Sequence, residues 1–136
     1  MTIDPYSHTP VYVQLADLLR QRIESGDLAA GANVGSESRL VQEYGIGRDA
    51  VRMGIALLRS EGLVTTSRGH GTRVREAPER RQVELAPGAS VTARMPNGGE
   101  RRSMQLDEGV PVLEVRDPKG GVEVFAADEV ELTRPA

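Results

Sequence analysis

The chain has 136 residues, no cysteine and a net charge of -3, which suits one ordinary domain or two small ones and excludes disulfides and thiolate metal sites. No apolar run nears the roughly 18 residues of a membrane span, and the start, "MTIDPYSHTP", lacks a signal peptide's apolar core, so a soluble, cytoplasmic protein is expected. The acidic balance by itself argues against nucleic acid, yet residues 36–75 carry seven Arg against four acids and residues 83–136 six basic residues against ten acids, so one region is locally basic.

In chain order, "PVYVQLADLLRQRIESGDL" predicts a helix, with Leu15, Leu18, Leu19 and Ile23 at helical spacing and Gly26 as its stop. A Gly-rich connector, "AAGANVG", follows. Ser36 then reads as the N-cap of a short helix, "ESRLVQEY", whose inward face is Leu40, Val41 and Tyr44. Gly45 supplies the left-handed residue that ends it. A third helix starts near Arg48, with Val51, Ile55 and Leu58 on one face, Gly54 allowing close packing, and Arg48, Arg52 and Arg59 on another. "LVTTS" and "TRVRE" around "RGHG" predict a β-hairpin.

Within "EYGIGRDAVRMG", Gly45, Gly47 and Ala50 spell G-x-G-x-x-A, a permitted dinucleotide-binding fingerprint. That fingerprint requires a preceding strand and a βαβ unit. Here the preceding segment has a helical pattern and no further βαβ unit follows. A short turn joining two helices, the second bearing exposed Arg, is instead a helix-turn-helix, and with the hairpin it makes a winged helix. Its third helix has the width of a major groove, and its first residues face base edges. Gly69 and Gly71 let the wing turn so that Arg68 and His70 approach phosphates or the minor groove.

The stretch from Pro10 to Arg75 resembles the DNA-binding domain of the GntR family of bacterial transcription regulators. It carries a Pro-x-Tyr-x-Gln-like start ("PVYVQ"), a Ser-Glu cap (Ser36-Glu37), the turn-and-helix "IGRDAVR", then "EGLV" and "GHGT". The resemblance implies DNA contacts from Arg48 and Arg52 on the recognition helix. It places Ser36, Glu37, Ser38 and Arg39 at the start of the second helix near the backbone, and His70, Gly71 and Thr72 at the wing tip beside Arg68. The family's Leu-Pro before Ser-Glu is Val34-Gly35 here, its helix-start Ser is Gly47, and its Thr is Ala50. Asp49 repels phosphate or accepts from cytosine N4. These departures touch operator sequence rather than DNA binding.

The rest divides into a linker at 76–88, Pro- and charge-rich with room for one short strand, and a small β-rich domain at 89–136, after a winged helix-turn-helix domain at 1–75. The fold class is therefore α+β. "VTARMPNGGERRSMQLDEGVPVLEVRD" resembles the opening of the sensing domain in the family's HutC-like branch, shortened here. A polar helix is expected around "GERRSMQL", strands in "VPVLEVRD" and in "VEVFAADEVEL", and a turn at "PKGG". So short a remainder leaves little room for a buried effector pocket and favours pairing with a second copy.

Each feature has a plainer reading. The three arginines also suit a solvated helix face, Ser36-Glu37 suits simple capping, and His70 suits a plain turn. Glu108, Glu114, Asp128 and Glu129 are expected to be solvated surface carboxylates, because no nucleophile or metal-spaced histidine accompanies them. The expectation is a homodimeric, sequence-specific transcription regulator, a repressor, that takes double-stranded DNA, uses no metal or cofactor and is not an enzyme. The competing expectation is a winged-helix module that binds protein and has no DNA target.

Overall fold

The structure, a computed structural model, describes residues 2–135. The chain folds as two compact units that divide between Glu76 and Ala77.

The first unit runs through helices α1 (Val11–Glu24), α2 (Glu37–Tyr44) and α3 (Arg48–Ser60) into strands β1 (Val64–Ser67) and β2 (Gly71–Val74). Its core forms because Leu15, Ala16 and Leu19 of α1, Leu40 of α2 and Val51, Ile55 and Leu58 of α3 all turn inward and are buried. Burying a side chain of this kind stabilises by about 1.5–3 kcal/mol. Gly54 sets how close α3 comes to α1, since a Cβ there would meet both Leu15 Cδ2 and the Tyr12 carbonyl oxygen at 3.0 Å. Arg20 of α1 reaches the end of α3 and donates to both carboxylate oxygens of Glu61, 2.7 Å from Oε1.

The turn between α2 and α3 follows the glycine logic. Gly45 sits at φ 66°, ψ 36° and its amide donates to the Val41 carbonyl, closing α2. Gly47 is the N-cap of α3 and has no side chain to offer. In the wing, β1 and β2 pair antiparallel, and the connector runs beside β2: Val34 N donates to Thr72 O at 2.9 Å and Val74 N to Ala32 O at 2.8 Å. The Gly-rich connector is thus a third member of the wing ladder rather than a free loop.

The second unit contains β3 (Arg81–Glu84), β4 (Ser90–Arg94), α4 (Gly98–Ser103), β5 (Val112–Arg116), β6 (Val122–Ala126) and β7 (Val130–Thr133). Strands β4, β5 and β6 form one antiparallel sheet, while β3 and β7 pair parallel. The short helix α4 has a capping box: Asn97 Oδ1 accepts from Glu100 N, and Glu100 Oε1 accepts from Asn97 N. Strand β3 lies inside residues 76–88. "VEVFAADEVEL", expected as one strand, is two strands in two sheets. The chain turns at residues 127–129, where Ala127 N donates to Pro111 O and Glu129 N to Ala126 O. Among the described residues no helix is long and apolar enough to cross a membrane.

Candidate nucleic-acid interface

The candidate site is the surface shared by α2, α3 and the wing of the first unit. Ser36 caps α2, its hydroxyl accepting from Arg39 N at 3.0 Å, and this puts Glu37 in the first helical turn, where the helix dipole favours an anion. Across the turn, Arg48 occupies the first position of α3 and Arg52 lies one turn on.

These residues meet. Glu37 Oε1 accepts from Arg48 Nη1 at 3.0 Å, and Glu37 Oε2 accepts from Arg52 Nε at 2.9 Å. Arg48 Nη2 also donates to Ser38 Oγ at 3.1 Å. One carboxylate thus serves two guanidinium groups, and hydrogen bonds from Arg52 and then Arg48 hold its pKa below the usual carboxylate value. Both arginines stay open to solvent, with side chains 58% and 65% exposed. The ion pairs lie along the surface, so the cations are steered without being buried.

Asp49 is exposed between them, and Ala50 is half-buried. Arg39 and Ser38 are exposed on α2. At the wing, the tip is Arg68, Gly69 and His70, closed by a hydrogen bond from His70 N to Ser67 O, and Gly69 and Gly71 have φ of 83° and 68°. Arg68 and His70 are exposed. Thr72 is not at the tip. The alternation of β2 turns it inward to 9% exposure, where its hydroxyl lies 3.1 Å from that of Thr66. A side chain so placed braces the wing and presents little surface.

The sequence placed Arg59 on the same face as Arg48 and Arg52 and missed its contact with the wing. Rather than lining an open arginine face, it turns to the wing and donates to Thr66 Oγ1 at 3.2 Å. The register pairs Thr66 with Thr72, so Arg59, Thr66 and Thr72 form a chain of contacts from α3 into the hairpin. The signal for it was that Thr66 and Thr72 each lie three residues from Gly69. Between helix and wing lies an open cleft of about 320 Å³, floored by Leu40, Val51 and Ile55 and rimmed by Glu37, Arg52, Arg59, Thr66 and Thr72.

Glu114 departs from the expectation of a solvated carboxylate. Glu114 accepts from Arg94 Nε at 2.9 Å and from Arg116 Nη2 at 2.6 Å, and its side chain is only 14% exposed. Arg94 also forks onto both oxygens of Glu100, at 2.7 and 2.8 Å. Glu114 is a structural ion-pair partner that joins β4 to β5.

Helix order, glycine turn and wing together make a winged helix-turn-helix. The family model described as "Bacterial regulatory proteins, gntR family" matches residues 11–74. The N-terminal unit is similar to that family over these 64 of the chain's 136 residues. The chain is 36% identical over 69 residues to the mannosyl-D-glycerate transport/metabolism system repressor MngR of Escherichia coli, a match covering 51% of this chain and 29% of that protein. An uncharacterized HTH-type transcriptional regulator of Rhizobium meliloti is 29% identical over 125 residues, covering 79% of this chain and 51% of its own length. The matches therefore span about half or less of these relatives. Among solved structures, AraR(DBD) in complex with operator ORX1 is 29% identical with a TM-score of 0.50, covering 54% of this chain and 92% of that one.

Proposed function

We propose that the protein is a DNA-binding transcription regulator, a homodimeric and cytoplasmic repressor, whose first unit places α3 in the major groove of operator DNA. The observation that carries this reading is the pair of exposed guanidinium groups on the first turns of α3, steered by Glu37 beside an exposed wing tip. In this reading Arg48 and Arg52 contact bases or phosphates, and Ser36, Glu37, Ser38 and Arg39 flank the backbone. Asp49 and Ala50 face the groove floor, and Arg68, His70 and Gly71 track the adjoining strand. Thr72 acts from within. The solved complex of AraR(DBD) with its operator and the repressor name of MngR support the assignment. Two copies reading half-sites one helical turn apart supply the usual geometry for such a helix. Among the described residues of the second unit only four hydrophobics are buried, Val110, Val112, Ala126 and Val130, and so thin a core favours pairing. The reading calls for no catalysis, metal or cofactor, and it leaves a small-molecule effector open.

A protein-binding role for the winged helix is the second reading, favoured by Asp49 standing exposed on the same face. Fluorescence anisotropy of the protein on duplexes from its own genomic neighbourhood, across a salt series, separates the two. Regulation by DNA binding predicts a steep salt slope and a sequence preference, with Arg52→Ala weakening specific binding. Salt-independent binding, or none, overturns it.

A further inference from the structure

Arg48 and Arg52 share Glu37, yet they are held by different atoms. Arg48 spends both terminal amines, Nη1 on Glu37 and Nη2 on Ser38. Arg52 gives Glu37 only Nε, its two terminal amines make no hydrogen bond among the described residues, and the Asp49 carboxylate attracts it only through space. A guanidinium gripped at Nε turns its terminal edge outward, and that edge is the planar fork that fits two adjacent acceptors. In the major groove, guanine offers such a pair in O6 and N7.

We propose that Glu37 is a positioning residue that divides the work: it aims the Arg52 fork at a guanine of the operator half-site and holds Arg48 for the phosphate backbone. This rests on the DNA-binding reading above. Two consequences follow from charge and geometry. A long, exposed arginine held at one atom loses less rotamer freedom when it meets its base. A carboxylate on the binding face repels phosphates, so it weakens contact with any sequence while sharpening contact with the right one. Glu37 thus raises discrimination at some cost in affinity.

The test starts from the full chain and a randomised duplex library, followed by anisotropy on the selected duplex and a scrambled duplex for the wild type and for E37Q, E37D and R48A. We expect E37Q to bind the scrambled duplex at least as tightly as the wild type while its preference for the selected duplex falls about tenfold. E37D keeps the charge but shortens the reach, so discrimination falls with no gain on the scrambled duplex. R48A weakens both duplexes alike. Replacing the contacted guanine by 7-deazaguanine, which lacks N7, costs the wild type about tenfold and E37Q far less. Circular dichroism confirms that each variant is folded. If E37Q and E37D are folded and discriminate as the wild type does, or if no guanine in the selected duplex is sensitive to deaza substitution, the role of Glu37 is overturned while DNA binding stands. If the wild type enriches no duplex, the reading beneath it falls as well.

Discussion

Glu37 Oε2 accepts a 2.9 Å hydrogen bond from Arg52 Nε, tying the first turn of α2 to α3 across the glycine turn. Arg52 first, then Arg48, lowers the pKa of Glu37. A carboxylate whose folded pKa is depressed contributes stability that is present above its unfolded pKa and is lost as pH falls through the folded one. The melting temperature of the wild type should therefore exceed that of Glu37→Gln at pH 7, and the gap should close on acidification below the ordinary carboxylate range. Thermal melts from pH 7 to pH 2 check this. A gap that is constant with pH contradicts the ion pairing.

The second unit predicts its own acid limb. Hydrogen bonds from Arg94 and from the Asn97 backbone bring the Glu100 pKa from 4.5 down to about 2. Its contribution is complete above pH 4.5 and disappears as pH falls towards 2. Glu100→Gln keeps the capping acceptor and removes the charge. It should lower the melting temperature at neutral pH and converge with the wild type near pH 2, the folded value. Parallel curves across that window sink the assignment.

Two N-caps in the first unit have nearly the same backbone, Ser36 at φ -70°, ψ 160° and Gly47 at φ -74°, ψ 161°, yet only Ser36 forms a side-chain cap. A Cβ at Gly47 meets nothing within 4 Å. Gly47→Ser should stabilise the protein by a few tenths of a kcal/mol, read by chemical denaturation, and should also tighten DNA binding by adding a phosphate donor. A loss of stability would show that the turn needs glycine there.

Gly45 and Gly54 are needed for different reasons. A Cβ on Gly45 has open space around it, but φ 66° is left-handed, so Gly45→Ala should cost roughly 1–2 kcal/mol from backbone strain alone. Gly54 is an ordinary helical residue with Leu15 and the Tyr12 carbonyl at 3.0 Å from any added Cβ. Gly54→Val should cost about 1–3 kcal/mol through overpacking of α1 against α3. Urea denaturation of both variants tests this, and a neutral Gly54→Val refutes the close approach.

The parts of this fold legible in the sequence were those set by local periodicity. Val51, Ile55 and Leu58 placed α3 and its buried face, and Gly45 and Gly62 marked helix ends, at φ 66° and 75°. What escaped depended on register or on partners far along the chain. Glu114 looked solvated because Arg94 is 20 residues away; only the pairing of Thr92 with Glu114 and of Arg94 with Val112 makes them diagonal neighbours. The run "VEVFAADEVEL" alternates through its own turn, so periodicity carried no mark of the break at residues 127–129. In the candidate site, the arginines of α3 were legible as an exposed face, but their shared carboxylate was not. It arrives from α2 through the turn geometry.

The most direct test of the central claim is a titration of isotope-labelled protein with its selected duplex, followed by amide chemical shifts. Insertion of α3 predicts the largest shifts at residues 48–52 and 68–70, with the exposed side of α1 around Asp17 and Gln21 unmoved. Shifts confined to the second unit, or none at a duplex concentration that saturates binding, would contradict it.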